Sequence, residues 1–187
     1  MKKVISVFYA FMAAVLFTTS ALAGGSVKLS SPGFSLGSLI ANGILSGLGN
    51  TDWIIGLDAN GHAAVVCINY GNNDVRGQSS PHVDGQGTQG LPADSQLRKN
   101  GKSVYSVTAK PLEEINPNIS WEEGGCPNSN WSAKIDFVYW DGAILSVIDP
   151  ITHITVATYA FTCTTTRIPQ NDGYTFDDGT VSCTLLK

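Results

Sequence analysis

From Val27 to the end of the chain, apolar and polar residues alternate in short runs broken by turn residues, and the three-to-four spacing of an amphipathic helix is not sustained anywhere. The pattern predicts an all-β fold. The strongest local signal is Trp53 to Ala59, then Asn60-Gly61, then His62 to Asn69, because Asn-Gly suits a two-residue type I′ hairpin turn. That turn would set Leu57 opposite Ala64, Ile55 opposite Val66 and Trp53 opposite Ile68, with Cys67 on the other side beside Ile54. A second hairpin is expected over Trp131 to Trp140, Asp141-Gly142 and Ala143 to Asp149. One of its faces reads as core, with Trp131, Ala133, Ile135, Phe137, Tyr139, Ile144 and Ile148. The other mixes Ser132, Lys134 and Asp136 with Val138, Trp140, Leu145 and Val147, an apolar end that needs a cover.

Asp149-Pro150 interrupts the alternation, which resumes from His153 to Cys163 with Thr155, Ala157, Tyr159, Phe161 and Cys163 on one face. Val181, Cys183 and Leu185 repeat it near the end. Thr164 to Gly179 between them reads as a long hairpin connection. Ser103 to Ala109 is a strand after an Asn100-Gly101 turn, while Gly71 to Asp94 and Leu112 to Asn130 read as loops rich in Gly, Asn, Ser or Pro. About seven to nine short strands at this spacing predict an antiparallel, immunoglobulin-like β-sandwich.

The start of the chain has a different pattern. Lys2 and Lys3, the apolar run Val4 to Phe17 and Ala21-Leu22-Ala23 spell a secretion signal over residues 1–23, leaving residues 24–187 as a single domain. Export places all four cysteines, Cys67, Cys126, Cys163 and Cys183, in an oxidising compartment, and their even number reads as two disulfides. Wide spacing without a Cys-x-x-C pair excludes a zinc knuckle or a thioredoxin-type motif. Of the three possible connectivities, the strand reading favours Cys163 with Cys183 and, by remainder, Cys67 with Cys126. The first bond would close a loop of roughly 20 residues, worth on the order of 3 kcal/mol. The formal charge of −4 falls by two more when Lys2 and Lys3 leave, which argues against nucleic acid and against polybasic attachment to anionic lipid. After Ala23 no apolar run approaches the roughly 18 residues needed to cross a bilayer, so no membrane insertion is expected.

Several phrases carry a family resemblance: Gly47-Leu48-Gly49-Asn50, Val66-Cys67-Ile68-Asn69 followed by Arg76-Gly77-Gln78, and Gly125-Cys126-Pro127-Asn128-Ser129-Asn130-Trp131. They resemble small exported bacterial all-β proteins of unassigned function, in which a Cys-x-Asn and a Cys-Pro-Asn-x-Asn-Trp segment flank a variable middle. The resemblance spans Phe34 to about Thr165. It implies a Cys67–Cys126 bond and brings no catalytic residues.

Candidate chemistry is sparse. His62, His82 and His153 are the neutral-pH bases available, and His82-Val83-Asp84 is the one local His/Asp grouping. Each histidine also reads as a surface or strand-end residue. The acidic pairs Glu113-Glu114, Glu122-Glu123 and Asp177-Asp178 could serve a glycosidase, but adjacent carboxylates seldom converge and read as solvated charges. Asn171, Asp172, Asp177 and Asp178 could contribute to a calcium loop, although their Asp-Gly steps are equally well explained as turns. Trp121 and Trp140 are the candidate binding residues, on the expectation that they are exposed; otherwise Trp140 packs under a loop or a second sheet. Trp53 and Trp131 fall on core-like faces.

These observations predict an exported, non-catalytic protein with a binding or structural role at the cell surface or outside it, in the extracellular space or periplasm. The partner would be a protein or a carbohydrate. No cofactor or metal is required. One alternative is a small secreted hydrolase using His82 and Asp84 or an acidic pair, and another is a subunit of an extracellular assembly joined by its strand edges.

Overall fold

The computed structural model describes residues 26–35, 38–96, 98–111, 119–168 and 178–187. The secretion signal, Glu113-Glu114 and the Asn171, Asp172 and Asp177 group lie outside the described residues. Ten strands are described, β1 (Lys28–Ser35), β2 (Leu39–Ser46), β3 (Trp53–Asn69), β4 (Asp74–Arg76), β5 (His82–Leu91), β6 (Arg98–Lys99), β7 (Lys102–Pro111), β8 (Trp131–Ile148), β9 (Thr155–Ile168) and β10 (Asp178–Leu185). Every pairing is antiparallel, and the hydrogen-bonded path runs β1-β2-β7-β5-β3-β8-β9-β10, with β4 on β3 and β6 on β7.

The all-β antiparallel expectation is met, and the sheet curls into a nearly closed, barrel-like wrap. β5 meets β7 over two residue pairs, Gly85 with Pro111 and Gln86 with Lys110. The ends of the path approach each other through side chains: the Tyr159 hydroxyl donates to the Val27 carbonyl at 2.9 Å, and the Phe34 and Phe161 rings meet edge-on at 5.0 Å. Inside lies one apolar core, where Leu39, Ala41 and Leu45 of β2 and Tyr105 and Val107 of β7 join Ile55 and Leu57 of β3, Leu145 and Val147 of β8, and Phe161 of β9. Both favoured disulfides are present. Cys163 and Cys183 are direct register partners on β9 and β10, and Cys67 on β3 is tied to Cys126 in the segment before β8.

The two strongest hairpin expectations are overturned. β3 and β8 are continuous strands of 17 and 18 residues, paired with each other along most of their length. A type I′ turn needs positive φ at both central residues; Asn100 and Gly101 have it, at 52° and 68°, and do form the predicted turn, whereas Asn60, Gly61, Asp141 and Gly142 do not. Asn60-Gly61 and Asp141-Gly142 instead face each other across one β-bulge. Asn60 pairs with Gly142 and Gly61 with Trp140, leaving Asp141 as the extra residue. Glycine is required there because a Cβ on Gly61 would lie 2.1 Å from the Tyr139 carbonyl oxygen.

A second bulge follows, since Ala64 pairs with Phe137 and Val65 with Ile135, leaving Asp136 unmatched. Each bulge shifts the numbering of the inward face by one. The β8 residues opposite the buried odd positions of β3 are therefore Ala133, Ile135, Val138, Trp140, Ala143, Leu145 and Val147. This corrects the predicted faces: Phe137 and Tyr139 lie outside the core set, and Ile144 is 44% exposed. Trp140 is fully buried, at 0% exposure, which is the packing alternative for this residue and not the exposed position that a binding role requires.

The supposed loop from Gly71 to Asp94 is also corrected, because it contains β4 and the ten-residue β5. Its glycines are sites of close approach. A Cβ on Gly87 would lie 1.8 Å from the Thr108 carbonyl oxygen, and one on Gly85 would lie 2.7 Å from the Trp140 ring. The long connection expected after Cys163 is shortened as well, since β9 runs on to Ile168 and β10 begins at Asp178.

Candidate functional site

Alternation along β3 turns Cys67, Val65 and Ala63 inward, so Ala64, Val66 and Ile68 point outward. These three floor a trough of about 670 Å³. Direct register places Arg76 of β4 and Lys134 of β8 on either side of Val66, and Asp74 and Ser132 on either side of Ile68. The apolar stripe is thus bordered by charge in the same rows. One wall is the chain from Gly77 to Ser80, fixed by the Gly77 amide donating to the Val65 carbonyl at 2.8 Å and the Ser80 hydroxyl donating to the Ala63 carbonyl at 3.1 Å. Behind that wall, the Gln78 amide donates to the carbonyl of Gly125, next to Cys126, at 3.2 Å. The Cys67–Cys126 bond therefore fastens the floor and the wall to the same segment.

The opposite rim is built on the two bulges of β8. Asp136 accepts from the Arg167 guanidinium at 2.6 Å, and the same guanidinium sits 4.6 Å above the Phe137 ring. Phe137 meets Tyr139 edge-on at 5.1 Å, and Tyr139 stacks on His62 at 5.1 Å, nearly parallel. Asp141 lies 2.9 Å from Nδ1 of His62. The bulges push both aspartates out of the ladder, and each then meets a cationic or titratable partner.

The sequence-predicted residues are scattered around this face. His82 Nε2 and Asp84 Oδ1 are 3.0 Å apart on β5, with side chains 65% and 55% exposed. They are hydrogen-bonded as their spacing allows, but they stand on an open sheet surface and do not line the trough. Glu122 and Glu123 are exposed, and Trp121 is half-buried in the turn that leads to Cys126; none of the three lines the trough. Trp140, in the core, cannot contact a partner directly. His153 lies in the β8–β9 turn with φ 56°, beside Asp149, whose carboxyl is held below the usual range by the Thr152 and Ile151 amides it accepts from. Among the described residues, no group of three or more His, Cys, Asp or Glu side chains is arranged to hold a metal ion. No helix among them is long and apolar enough to cross a membrane.

No protein-family model matches this chain, and no curated protein or solved structure is detectably similar to it. The site therefore has to be read from its own chemistry. The pairings missed in the sequence, His62 with Asp141, Arg167 with Asp136, and the Val66 row, join residues far apart in the chain, through the β3–β8 and β3–β4 registers and, for Arg167, through β9 lying beside β8. A faint signal was present, because Asp136 and Asp141 mark the points where the apolar alternation of β8 changes phase.

Proposed function

We propose that this chain is an exported, non-catalytic binding protein acting at the cell surface or outside it, with the outward trough on β3, β4 and β8 as its ligand site. The observation that carries this reading is the trough itself: an apolar stripe of Ala64, Val66 and Ile68 on the long strand β3, bordered by Arg76 of β4 and Lys134 of β8 and locked to its wall by a disulfide. A rigid floor with polar groups at its rim is the usual anatomy of a ligand site. The fit is to a protein segment or a carbohydrate with apolar and polar faces. Two disulfides agree with an oxidising compartment and with the signal over residues 1–23. The resemblance to small exported bacterial proteins points the same way, as does the acidic net charge, which disfavours nucleic acid. The immunoglobulin-like sandwich belongs to this reading too. The two-pair β5–β7 junction would be a corner between a β1-β2-β7 layer and a β5-β3-β8-β9-β10 layer.

The test is a chemical-shift mapping of the oxidised protein against panels of soluble glycans and peptides, repeated on Val66→Trp, which fills the trough from its floor. Shifts clustered on Val66, Arg76 and Lys134 and abolished by V66W are expected. Binding that V66W leaves unchanged overturns the site. A hydrolase is the second reading, favoured by the His82–Asp84 hydrogen bond; ester, peptide or glycoside turnover that His82→Ala removes would replace the binding proposal. An assembly subunit is the third, because β1 and β10 end the sheet path. Sedimentation over a range of concentrations tests it, and a constant monomer counts against it.

A further inference from the structure

We propose that His62 and His82 together form a two-imidazole site for a divalent transition metal of the Zn²⁺ or Cu²⁺ class. The two residues are direct cross-strand partners on β3 and β5. The Ala63 amide donates to the Pro81 carbonyl at 2.9 Å, which makes His62 and His82 a non-hydrogen-bonded pair, the closer of the two antiparallel pairings. Such partners have Cα atoms about 4.5 Å apart and point to the same face. Imidazole nitrogens bind zinc at about 2.0–2.1 Å, so two rings rising side by side from adjacent strands can share one ion.

The surroundings match what such a ligand pair needs. A metal-binding histidine commonly gives its second ring nitrogen to a carboxylate, which fixes the ring and raises the basicity of the ligating nitrogen. Both histidines have that partner: Asp141 at 2.9 Å from Nδ1 of His62, and Asp84 at 3.0 Å from Nε2 of His82. Nε2 of His62 and Nδ1 of His82 are the nitrogens left for the ion. The Tyr139 ring, stacked on His62, limits its rotation. The protein supplies two ligands here, and among the described residues no third His, Cys, Asp or Glu side chain joins them in a metal-holding group. Water or a donor from a bound molecule completes the coordination. Imidazole ligands suit Zn²⁺, Cu²⁺ and Ni²⁺ and disfavour Ca²⁺ and Mg²⁺. His62 also lines the trough, but the inference does not depend on the trough being a ligand site.

Calorimetric titration of the oxidised protein with ZnCl₂ in a non-coordinating buffer tests it. One ion per chain is expected, with no response to CaCl₂. His62→Ala and His82→Ala should each weaken Zn²⁺ binding at least about 10-fold, Asp141→Asn by about 10-fold, and His153→Ala not at all. Unchanged binding in H82A, or loss in H153A, overturns the proposal. If a variant fails to fold, the wild-type imidazole resonances decide: those of His62 and His82 must shift together on adding Zn²⁺, and their remaining still overturns the site.

Discussion

Replacing Tyr105 with Phe should make this protein more stable, although it removes a polar atom from a position where tyrosine fits well. Tyr105 lies on β7, 1% exposed, with its ring over its cross-strand partner Gly43, and its buried hydroxyl has no hydrogen-bond partner among the described residues. A buried hydroxyl left in that state costs about 1–3 kcal/mol. Phenylalanine keeps the ring and drops the cost, so Tm should rise by roughly 2–4 °C per kcal/mol recovered for a domain of this size. Alkaline pH gives a second readout. Burial, reinforced by nearby Tyr159, pushes the Tyr105 hydroxyl up to about 12 from an ordinary 10.0. Its folded pKa is the higher one, so this contribution is complete below pH 10 and is lost as pH rises from about 10 to about 12, by on the order of 2–3 kcal/mol. Urea unfolding of wild type and Y105F at pH 7 and at intervals up to pH 11.5 measures both effects. Phe should gain at pH 7, and its advantage should widen above pH 10. A Y105F protein less stable at pH 7, or a difference that stays flat with pH, would refute the reasoning and show that the hydroxyl is well solvated or bonded.

The remaining predictions concern packing and covalent ties. Replacing Cys163 and Cys183 together by Ala, closing residues 20 positions apart, should cost about 3 kcal/mol, and replacing Cys67 and Cys126, 59 positions apart, about 4 kcal/mol; equilibrium denaturation ranks the two. Gly87→Ala, whose Cβ meets the Thr108 backbone, should lose about 1–3 kcal/mol or more. Gly90→Ala, with nothing within 4 Å, should stay within about 1 kcal/mol of wild type, and equal losses at both positions would contradict the β5–β7 packing. Trp140→Ala should cost about 3–5 kcal/mol in thermal or chemical unfolding, whereas an exposed tryptophan would cost almost nothing.

Much of the architecture was legible because it depends on composition and local chemistry. Alternation gave the all-β class, Asn100-Gly101 the turn before β7, Asp149-Pro150 the break before β9, and facing cysteines the Cys163–Cys183 bond. The failures share one cause. Asn-Gly and Asp-Gly favour both tight turns and close strand approach, and only the partner strand decides between them. Reading Asn60-Gly61 as a turn divided β3 in two and hid the β3–β8 ladder, along with every site residue that ladder brings together. Gly85 and Gly87 were misread for the same reason: a glycine makes room for another element that local sequence does not name. The grouping of Trp140 with Val138, Leu145 and Val147 holds, but theirs is the inward face, because two phase changes within β8 put Phe137 and Tyr139 outside the core set. His82 with Asp84 was visible, being two positions apart, while His62 with Asp141 was not, being 79 apart.

The two bulges of β8 also determine where this protein can tolerate losing a residue. In a regular strand, deleting one position turns every later side chain to the wrong face. Asp136 and Asp141 are unmatched by β3, however, and the residues on either side of each already have consecutive partners. Excising either aspartate would close the ladder with the inward set intact, giving up only the ion pair or imidazole contact it carries. Excising Leu145 would misplace the rest of the strand. Length variation along the longest strand of the sheet is thus confined to two addresses, and both lie on the face where its polar chemistry is gathered.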